Sequence, residues 1–600
     1  MIDTETALAQ LESAVAEERL SASAAEHIRT WLTEPYLAEY APQVAEHLAQ
    51  GKFKELDDAF WTIIPFGTGG RRGRLYPIGC NAINDRTIGE SAQGLADYIR
   101  ELHPDKLLRC AVAYDPRHRS REFAELCSEI MAAAGFTVYF LDGYRSTPEL
   151  SFAVRYKQCD CGIIITASHN PPTDNAVKVY GPSGGQFVPP HDKRSIERMQ
   201  SVTEIKRMPF QKAMDEGRVV YCQEEVDPAF IAAVTSQSLA GPRALKIIYS
   251  PLHGVGGSAV PPVLAAVGFD DVEVFGPHAT PDPDFTNVPH HISNPENAEV
   301  FDAMIERAKE TGAELILATD PDADRLGAAA PVSREPGAEW KTLTGNQIGS
   351  LLTDYLLSVR KSQGTLTPEH YVCKTLVTTE LIRRIADHYG VQTSGNLLVG
   401  FKWIGDDMDR RGPERFVFGA EESYGFLAGD HVRDKDGAVA AMLLAEYAAR
   451  LKADGLTLHE KLDDLFRQHG GFAESQFSVY MRGEQGMEEM KALMTRLHAT
   501  PPEQIAGMKV RAARDYLSGT VTEPGGEPRP LDGPTGDMVI FDLERPGNYV
   551  AVRPSGTEPK VKFYMFAHEP PEKTTDLAAT KQALADRMEA MQKDLEAMKG

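Results

Sequence analysis

Six hundred residues exceed what one hydrophobic core organises, so about three to five domains are expected at the usual ~100–200 residues each. The chain carries 63 Lys+Arg against 87 Asp+Glu, a formal charge of −24. That balance argues against nonspecific nucleic-acid binding, which needs a net basic surface, but leaves room for a small anion in a local basic pocket. No run approaches the ~18 apolar residues of a membrane span, and Met1-Ile2-Asp3-Thr4-Glu5 lacks the basic and apolar regions of a signal peptide. Seven scattered cysteines suggest reduced thiols, so a cytoplasmic protein without membrane association is expected.

Residues 1–50 are rich in Ala, Glu and Leu, broken at Pro35 and Pro42, and read as a helical extension. Strand-like and helix-like stretches then alternate. Residues 108–114 predict a strand, 120–134 a helix, 137–141 a strand, 148–156 a helix, and another strand enters at Gly162. The rhythm restarts with strands at 245–249, 272–275 and 314–319 around helices near 262–267 and 296–311. A third round runs through a helix at 345–360, a strand at 371–375 and a helix at 380–389. Repeated βαβ units predict open α/β sheets with ligands gathered at strand ends. Past about 475 come short strands, a Pro/Gly-rich surface loop at 523–535 and a charged terminal helix around 578–598. The expected fold class is α/β: three similar α/β domains with mixed sheets plus a C-terminal α+β domain, the active site lying in the central cleft. The expected boundaries are 1–50, 51–225, 226–342, 343–474 and 475–600.

Four stretches could carry chemistry. The strand from Gly162 stops on Ala167-Ser168-His169-Asn170-Pro171-Pro172, where the prolines forbid a regular helix and stiffen the loop. Rigidity suits a nucleophile that must line up with a reacting atom, and His169 or a nearby charge would assist it; a capping serine in a turn is the plain alternative. Ser183 in Gly181-Pro182-Ser183-Gly184-Gly185 matches Gly-x-Ser-x-Gly without its strand–turn–helix context, and reads as a turn. In the second stretch Asp320, Asp322 and Asp324 alternate after an apolar strand. Extended backbone would turn them to one side, where they repel unless a cation such as Mg2+, Ca2+ or Mn2+ sits among them. Arg325 and Pro331 stand where a calcium loop of the EF-hand kind wants Gly and Glu, and Arg325 suggests that an anion shares the site. A solvated acidic turn is the alternative.

The third stretch, Arg553 to Lys560, joins a guanidinium fork, the hydroxyls of Ser555 and Thr557 and the open backbone of Gly556, all suited to a phosphate. In the fourth, Glu421, Glu422 and Ser423 end a strand and suit sugar hydroxyls, with Arg433 and Lys435 adding charge for a phosphate or a proton transfer. Gly254-Val255-Gly256-Gly257-Ser258-Ala259 loosely fits a dinucleotide turn but has no clear acid about 20 residues on. His290 and His291 read as loop residues, and Cys159 and Cys161 as thiols at a core edge.

Taken together, these stretches suggest phosphoryl transfer on a phosphosugar. Thr166-Ala167-Ser168-His169-Asn170-Pro171-Pro172, Asp320-Pro321-Asp322-Ala323-Asp324-Arg325, Ala420-Glu421-Glu422-Ser423-Tyr424-Gly425 and Arg553-Pro554-Ser555-Gly556-Thr557 follow the order of the α-D-phosphohexomutase superfamily. The chain resembles that family over roughly residues 60 to 570, one motif per domain. The resemblance implies that Ser168 is a phosphoserine, and that Asp320, Asp322, Asp324 and the Ser168 phosphate hold Mg2+. Arg72 looks like the family's first-domain active-site arginine. His169, Lys178 and Arg325 would flank the transferring phosphoryl, with Lys178 or Lys435 carrying a proton. Lys402, in Gly400-Phe401-Lys402-Trp403, resembles the loop that faces the sugar. Glu421 and Ser423 would hold sugar hydroxyls, with Arg433 close by. Arg553, Ser555, Gly556 and Thr557, beside Lys562, would hold the phosphate that is not reacting.

Two departures bear on substrate choice: Ala176 stands where many members have Gly, and Lys562 where some have Arg, giving a point charge in place of a fork. The implied activity interconverts glucose 1-phosphate and glucose 6-phosphate, with glucose 1,6-bisphosphate as intermediate and activator. The alternatives are a phosphopentomutase or a phosphomannomutase. From other classes come a serine-dependent metallophosphatase and a non-catalytic sugar-phosphate binder or bisphosphate synthase. Expected partners are small phosphosugars, the expected state is a monomer or weak homodimer, and a mobile fourth domain is expected to close on the substrate.

Overall fold

The computed structural model describes residues 3–67, 70–481, 483–555 and 560–598. Thr4–Ala16, Ala22–Thr33, Ala41–Ala49 and Phe53–Phe60 form a helical cap. The first two helices start where Asp3 and Ser21 accept hydrogen bonds from backbone N–H groups of their first turns. Pro42 sits in the first turn of the third, where its missing donor costs nothing. Leu11, Ile28, Trp31, Val44, Leu56 and Phe60 share the cap's core, with Trp31 and Phe60 edge-on at 5.3 Å.

Three mixed sheets follow. The first has seven strands in the order Phe66–Gly67, Gly70–Arg74, Asp174–Tyr180, Cys161–Ile165, Arg109–Tyr114, Thr137–Phe140, Val219–Tyr221. The last four run parallel, while the first three each reverse on their neighbour. Both faces are covered: Ala111, Ala113 and Ile164 enter one core, and Val112, Ile163 and Ile165 the other, as pleating dictates. The second sheet orders Trp340–Leu343, Leu326–Pro331, Leu315–Thr319, Ile247–Ser250 and Val272–Val274. The third orders Gln392–Leu397, Tyr371–Thr375, Phe416–Glu421 and Gly425–Ala428.

The expected helix at 296–311 begins later, as a short 3-10 turn Ala298–Phe301 followed by Asp302–Thr311. Asn294 draws the N–H of Glu296 to its side chain and that of Asn297 to its carbonyl, holding both residues outside the helix.

The tail is an eight-stranded antiparallel sheet running from Gly471–Tyr480 through Lys560–Glu569, Tyr549–Pro554, Val539–Leu543 and Met508–Asp515 to shorter strands. Two of these, Thr520–Thr522 and Arg529–Pro530, pair across what reads in sequence as a plain loop. Phe563 and Met565 face Met591 and Leu595 of the terminal helix Leu577–Ala597. Tyr549, Tyr564 and Phe566 on the other face meet Leu376 and Val377 of the third α/β unit.

One device recurs four times. A strand runs into a loop and the chain returns antiparallel beside it: Cys161–Ile165 with Asp174–Tyr180, Leu315–Thr319 with Leu326–Pro331, Phe416–Glu421 with Gly425–Ala428, and Tyr549–Pro554 with Lys560–Glu569. The four motifs singled out in the sequence are these four reversals.

Candidate active site

The strand Cys161–Ile165, buried throughout, delivers Ser168 in a left-handed conformation (φ 52°) with 2% of its surface exposed. The Thr166 hydroxyl accepts the Ser168 N–H at 2.9 Å. Ser168 Oγ donates to Asp320 Oδ2 at 2.7 Å and lies 3.2 Å from His169 Nδ1. Burial, then the cations Arg325 and Arg72, hold the His169 pKa well below the usual imidazole range, so this ring is neutral. On the return strand Lys178 stands opposite Ile164, its Nζ 2.7 Å from Asp322 Oδ2 and 3.6 Å from Asp324 Oδ2. Ala176 pairs with Arg72 in a regular ladder at negative φ, a backbone that alanine adopts without strain. Arg72 Nη1 reaches the serine loop, donating to Asn170 Oδ1 at 3.2 Å.

The three aspartates converge, though not by the extended alternation that the sequence suggests. The chain turns at Pro321 and passes Ala323 at φ 52°. Asp320 Oδ1 accepts the N–H groups of Asp324 and Arg325, at 3.1 Å each. The loop wraps around its own first carboxylate, which brings one oxygen from each aspartate within 4.8 Å of the others. Asp322 Oδ1 and Asp324 Oδ1 are buried without a hydrogen bond among the described residues.

Burial, with Asp324 and Asp322 adding to it, pushes the Asp320 carboxyl up. Burial alone would also raise Asp322, but the Lys178 ammonium and the Thr147 hydroxyl, 2.6 Å from its Oδ2, bring it below the usual carboxylate range. A divalent cation among these oxygens answers both the repulsion and the orphaned acceptors, and an all-oxygen set suits a hard ion. The glycine run at 254–257 forms the bed of this loop: Val255 N–H donates to Pro321 O, and a Cβ on Gly254 would lie 2.5 Å from Pro321 Cα. Packing requires Gly254 and also Gly256, where a Cβ would lie 2.1 Å from the Tyr249 hydroxyl, while Gly257 has open space around it. Exposed His290 and His291, expected in a loop, lie in the short 3-10 turn Pro289–His291, and Cys159 and Cys161 are buried free thiols.

The turn 422–424 locks onto this loop. Arg325 bridges to Gly425, Leu326 N–H donates to Tyr424 O, and Gly437 N–H donates to Ala323 O. Arg325 also pairs with Glu296 at 2.5 Å. Lys435 Nζ lies 2.9 Å from Asp324 Oδ2 and 3.3 Å from Asp434 Oδ1; burial opposes its charge, but these carboxylates raise its pKa. Glu421, buried, accepts the Gly400 N–H at 2.8 Å, and burial raises its carboxyl against the pull of Lys435. Ser423 is half-buried in the turn. Arg433 is taken up by Asp409 at 2.6 Å and by the carbonyls of Asp430 and Val432, while its N–H donates to Ser151 Oγ of the first domain. Lys402 Nζ reaches across to Asp192 and the Phe187 carbonyl, at 3.4 Å each.

In the fourth domain Arg553 stands opposite Lys562, and Ser555 N–H donates to Lys560 O. Arg553 and Ser555 share with Trp403, Leu398 and Met494 the lining of a cavity of about 840 Å3 at the seam of the third and fourth domains. Burial lowers the Lys562 pKa, with the Glu422 charge opposing. Gly556 and Thr557 lie outside the described residues.

The structure therefore gathers Ser168, His169, Lys178, Asp320, Asp322, Asp324, Arg325 and Lys435 into one cluster. Arg72 and Glu421 lie at its edge, and Arg553, Ser555 and Lys562 lie in a separate cradle. Thr147, Glu296 and Arg117 join the cluster unannounced. Thr147 follows the helix-capping Ser146 and gave no local signal, and Glu296 is brought in only by tertiary contact. Arg117 had one signal, an Asp115-Pro116-Arg117 turn directly after a buried strand.

Family models for phosphoglucomutase/phosphomannomutase α/β/α domains I, II and III match residues 64–206, 228–332 and 344–469. A phosphoglucomutase of Staphylococcus haemolyticus is 37% identical over 520 residues, 85% of this chain and 91% of that protein. A phosphoglucomutase of Staphylococcus aureus is 33% identical over 519 residues, again 85% and 91%. In fold, the chain is similar to a phosphoglucomutase/phosphomannomutase family protein of Burkholderia thailandensis (TM-score 0.63, 19% identity, 89% of this chain and 97% of that one). It is also similar to the open form of the parafusin phosphoglucomutase of Paramecium (TM-score 0.63, 18% identity, 89% and 94%). No described helix is long and apolar enough to cross a membrane. The three matched domains and the curated relatives together establish that the chain belongs to the phosphoglucomutase/phosphomannomutase family, within the α-D-phosphohexomutase superfamily.

Proposed function

We propose that the protein is a phosphoglucomutase, an isomerase that interconverts glucose 1-phosphate and glucose 6-phosphate through phospho-Ser168 and glucose 1,6-bisphosphate. The observation that carries this reading is Ser168 Oγ held 2.7 Å from the first of three converging carboxylates, with a separate Arg553–Lys562 cradle for a second phosphate.

Asp320, Asp322 and Asp324, with the Ser168 phosphate, would hold Mg2+, which when bound supplies charge neutralisation at the phosphoryl oxygens. The chain's own cations do the rest. Lys178, Lys435 and Arg325 surround the reacting position, and phosphoryl transfer is governed by such positioning and charge stabilisation. Glu421 and Ser423 orient the sugar, and Arg553, Ser555 and Lys562 hold its far phosphate.

The sugar hydroxyl oxygen forms a bond to phosphorus as the Oγ–P bond breaks, and the hydroxyl's proton passes to the departing serine oxygen through a neighbouring base. The bisphosphate then turns, and its other phosphate returns to Ser168 by the reverse step. Free glucose 1,6-bisphosphate rephosphorylates a serine that has lost its phosphate. Water must be kept out meanwhile, and the 2% exposure of Ser168 serves that need.

The test is conversion of glucose 1-phosphate with Mg2+, with and without glucose 1,6-bisphosphate, beside ribose 1-phosphate. Glucose conversion that the bisphosphate stimulates and Ser168→Ala abolishes supports the reading. Faster ribose conversion moves the substrate to a pentose, and free phosphate without isomer overturns the mutase.

A further inference from the structure

Behind the serine loop lies a guanidinium that the chemistry above does not use. Arg117 and Asp115 follow the buried strand Arg109–Tyr114, and both side chains are fully buried. Arg117 Nη2 donates to the carbonyls of Ser168 and Asn170, at 2.5 Å each, and Nη1 to those of Pro171 at 2.8 Å and Asp174 at 3.1 Å. Asp115 backs the fork at 3.3 Å from Nε, while its Oδ1 accepts the Arg117 N–H and the Ser120 hydroxyl. The Phe285 ring, from the second domain, lies 5.1 Å from the guanidinium carbon.

The Ser168, Asn170 and Pro171 carbonyls belong to a loop whose prolines offer no N–H, Asp174 opens the return strand, and carbonyls withdrawn from water need donors. One planar fork reaches all four, sharing the Pro171 carbonyl with the Asp174 N–H, and thereby fixes the loop's curvature. We propose that Arg117 is a positioning residue for the nucleophile: its fork on the 168–174 carbonyls holds Ser168 in the left-handed conformation that aims Oγ at Asp320. A lysine keeps the charge but has a single nitrogen, which cannot span four carbonyls in a plane. The sugar and the far phosphate are held by Glu421 and by Arg553, so loss of the fork acts on the transfer step and spares substrate capture. The inference rests on the phosphoserine reading.

The experiment compares wild type, Arg117→Lys, Arg117→Ala and Phe285→Leu in steady-state isomerisation, single-turnover transfer from phospho-Ser168, and thermal melting. Wild type serves as the check on the underlying reading: without Ser168-dependent transfer that reading fails, whatever the variants do. Given wild-type transfer, Arg117→Lys is expected to lose about 100-fold in kcat and in the transfer rate, as for a displacement of about 1 Å. KM should stay within about threefold, and added guanidinium ion should restore part of the Arg117→Ala rate. Phe285→Leu, which keeps an apolar side chain in the second-domain core but removes the ring from the guanidinium, should lower kcat several-fold at unchanged KM. Full activity in Arg117→Lys overturns the proposal, as does a loss shared by kcat, KM and melting temperature without guanidinium rescue. If the Arg117 variants do not fold, unchanged kcat in Phe285→Leu overturns it.

Discussion

At the residue scale, the site is a balance of buried charges that no single member survives alone. Asp320, Asp322 and Asp324 are each at most 1% exposed, and burial of like charges at this spacing destabilises the fold unless cations intervene. Removing divalent cations with EDTA should therefore abolish isomerisation and lower the melting temperature. Restored Mg2+ should recover both, the gain in stability growing with the logarithm of its concentration; a melting temperature indifferent to Mg2+ would place the ion elsewhere. Ser168→Ala should cost all measurable isomerisation while the melting temperature stays within a few degrees, because the lost Oγ donor serves one carboxylate that also holds two backbone N–H groups. These residues were legible in the sequence because they cluster: a serine before two prolines, and three aspartates in five positions. Arg117 and Thr147 were not, because they act on backbone carbonyls and on a carboxylate far along the chain, and such partners exist only after folding.

At the scale of elements, short apolar runs bounded by Gly, Pro and Asp located the central strands closely. The predicted strand at 371–375 is Tyr371–Thr375, and that at 314–319 is Leu315–Thr319. The antiparallel returns were harder to read, since a strand's direction leaves no mark on its pattern of apolar residues. The turn 422–424 shows how tightly a return is packed. Gly345 opens the helix Gly345–Ser362, and a Cβ there would lie 2.2 Å from Glu422 O and 2.8 Å from Tyr424 N. Gly345→Ala should destabilise the protein by about 1–3 kcal/mol through this overpacking, and should raise KM by displacing the sugar turn. Gly312→Ala, at φ +71° but with open space around it, should lower stability by about 1–2 kcal/mol and leave KM alone. Equal KM effects in the two variants would count against the turn's role.

Over the whole molecule, the seams differ in kind. The first three domains share one apolar core, running from Ile164 through Tyr249 and Leu264 to Leu351 and Val417, and buried polar contacts cross it: Tyr180 to Asp434, Thr147 to Asp322, and Glu446 to Ser238, Leu239 and Arg243. Such pairs lie beyond any local reading, the last joining positions some 200 apart. The fourth domain instead leans on the third through Leu376, Val377, Tyr549, Tyr564 and Phe566, with Glu422 and Lys562 facing each other electrostatically. Burial, then Glu421, pushes the Glu422 carboxyl up to about 7 from an ordinary 4.5. Folded chains thus hold a proton that unfolded chains release, so this group's stabilisation is complete below about pH 4.5 and is lost as pH rises through about 7. Melting temperature should fall across that window, and Glu422→Gln should flatten the fall; an identical slope in the variant would exonerate this group.

The four chain reversals carry a consequence for re-engineering. Each begins and ends in neighbouring strands of one sheet, so its length and wording can be exchanged while the ladder on either side stays in register. Specificity on this scaffold is thereby separable from foldability wherever the substitute keeps the backbone that Gly345 and Leu326 pack against. A chimera that borrows only the three residues between Glu421 and Gly425 inherits a new vocabulary for the sugar, while nucleophile, cation cage and cradle go on speaking the old one.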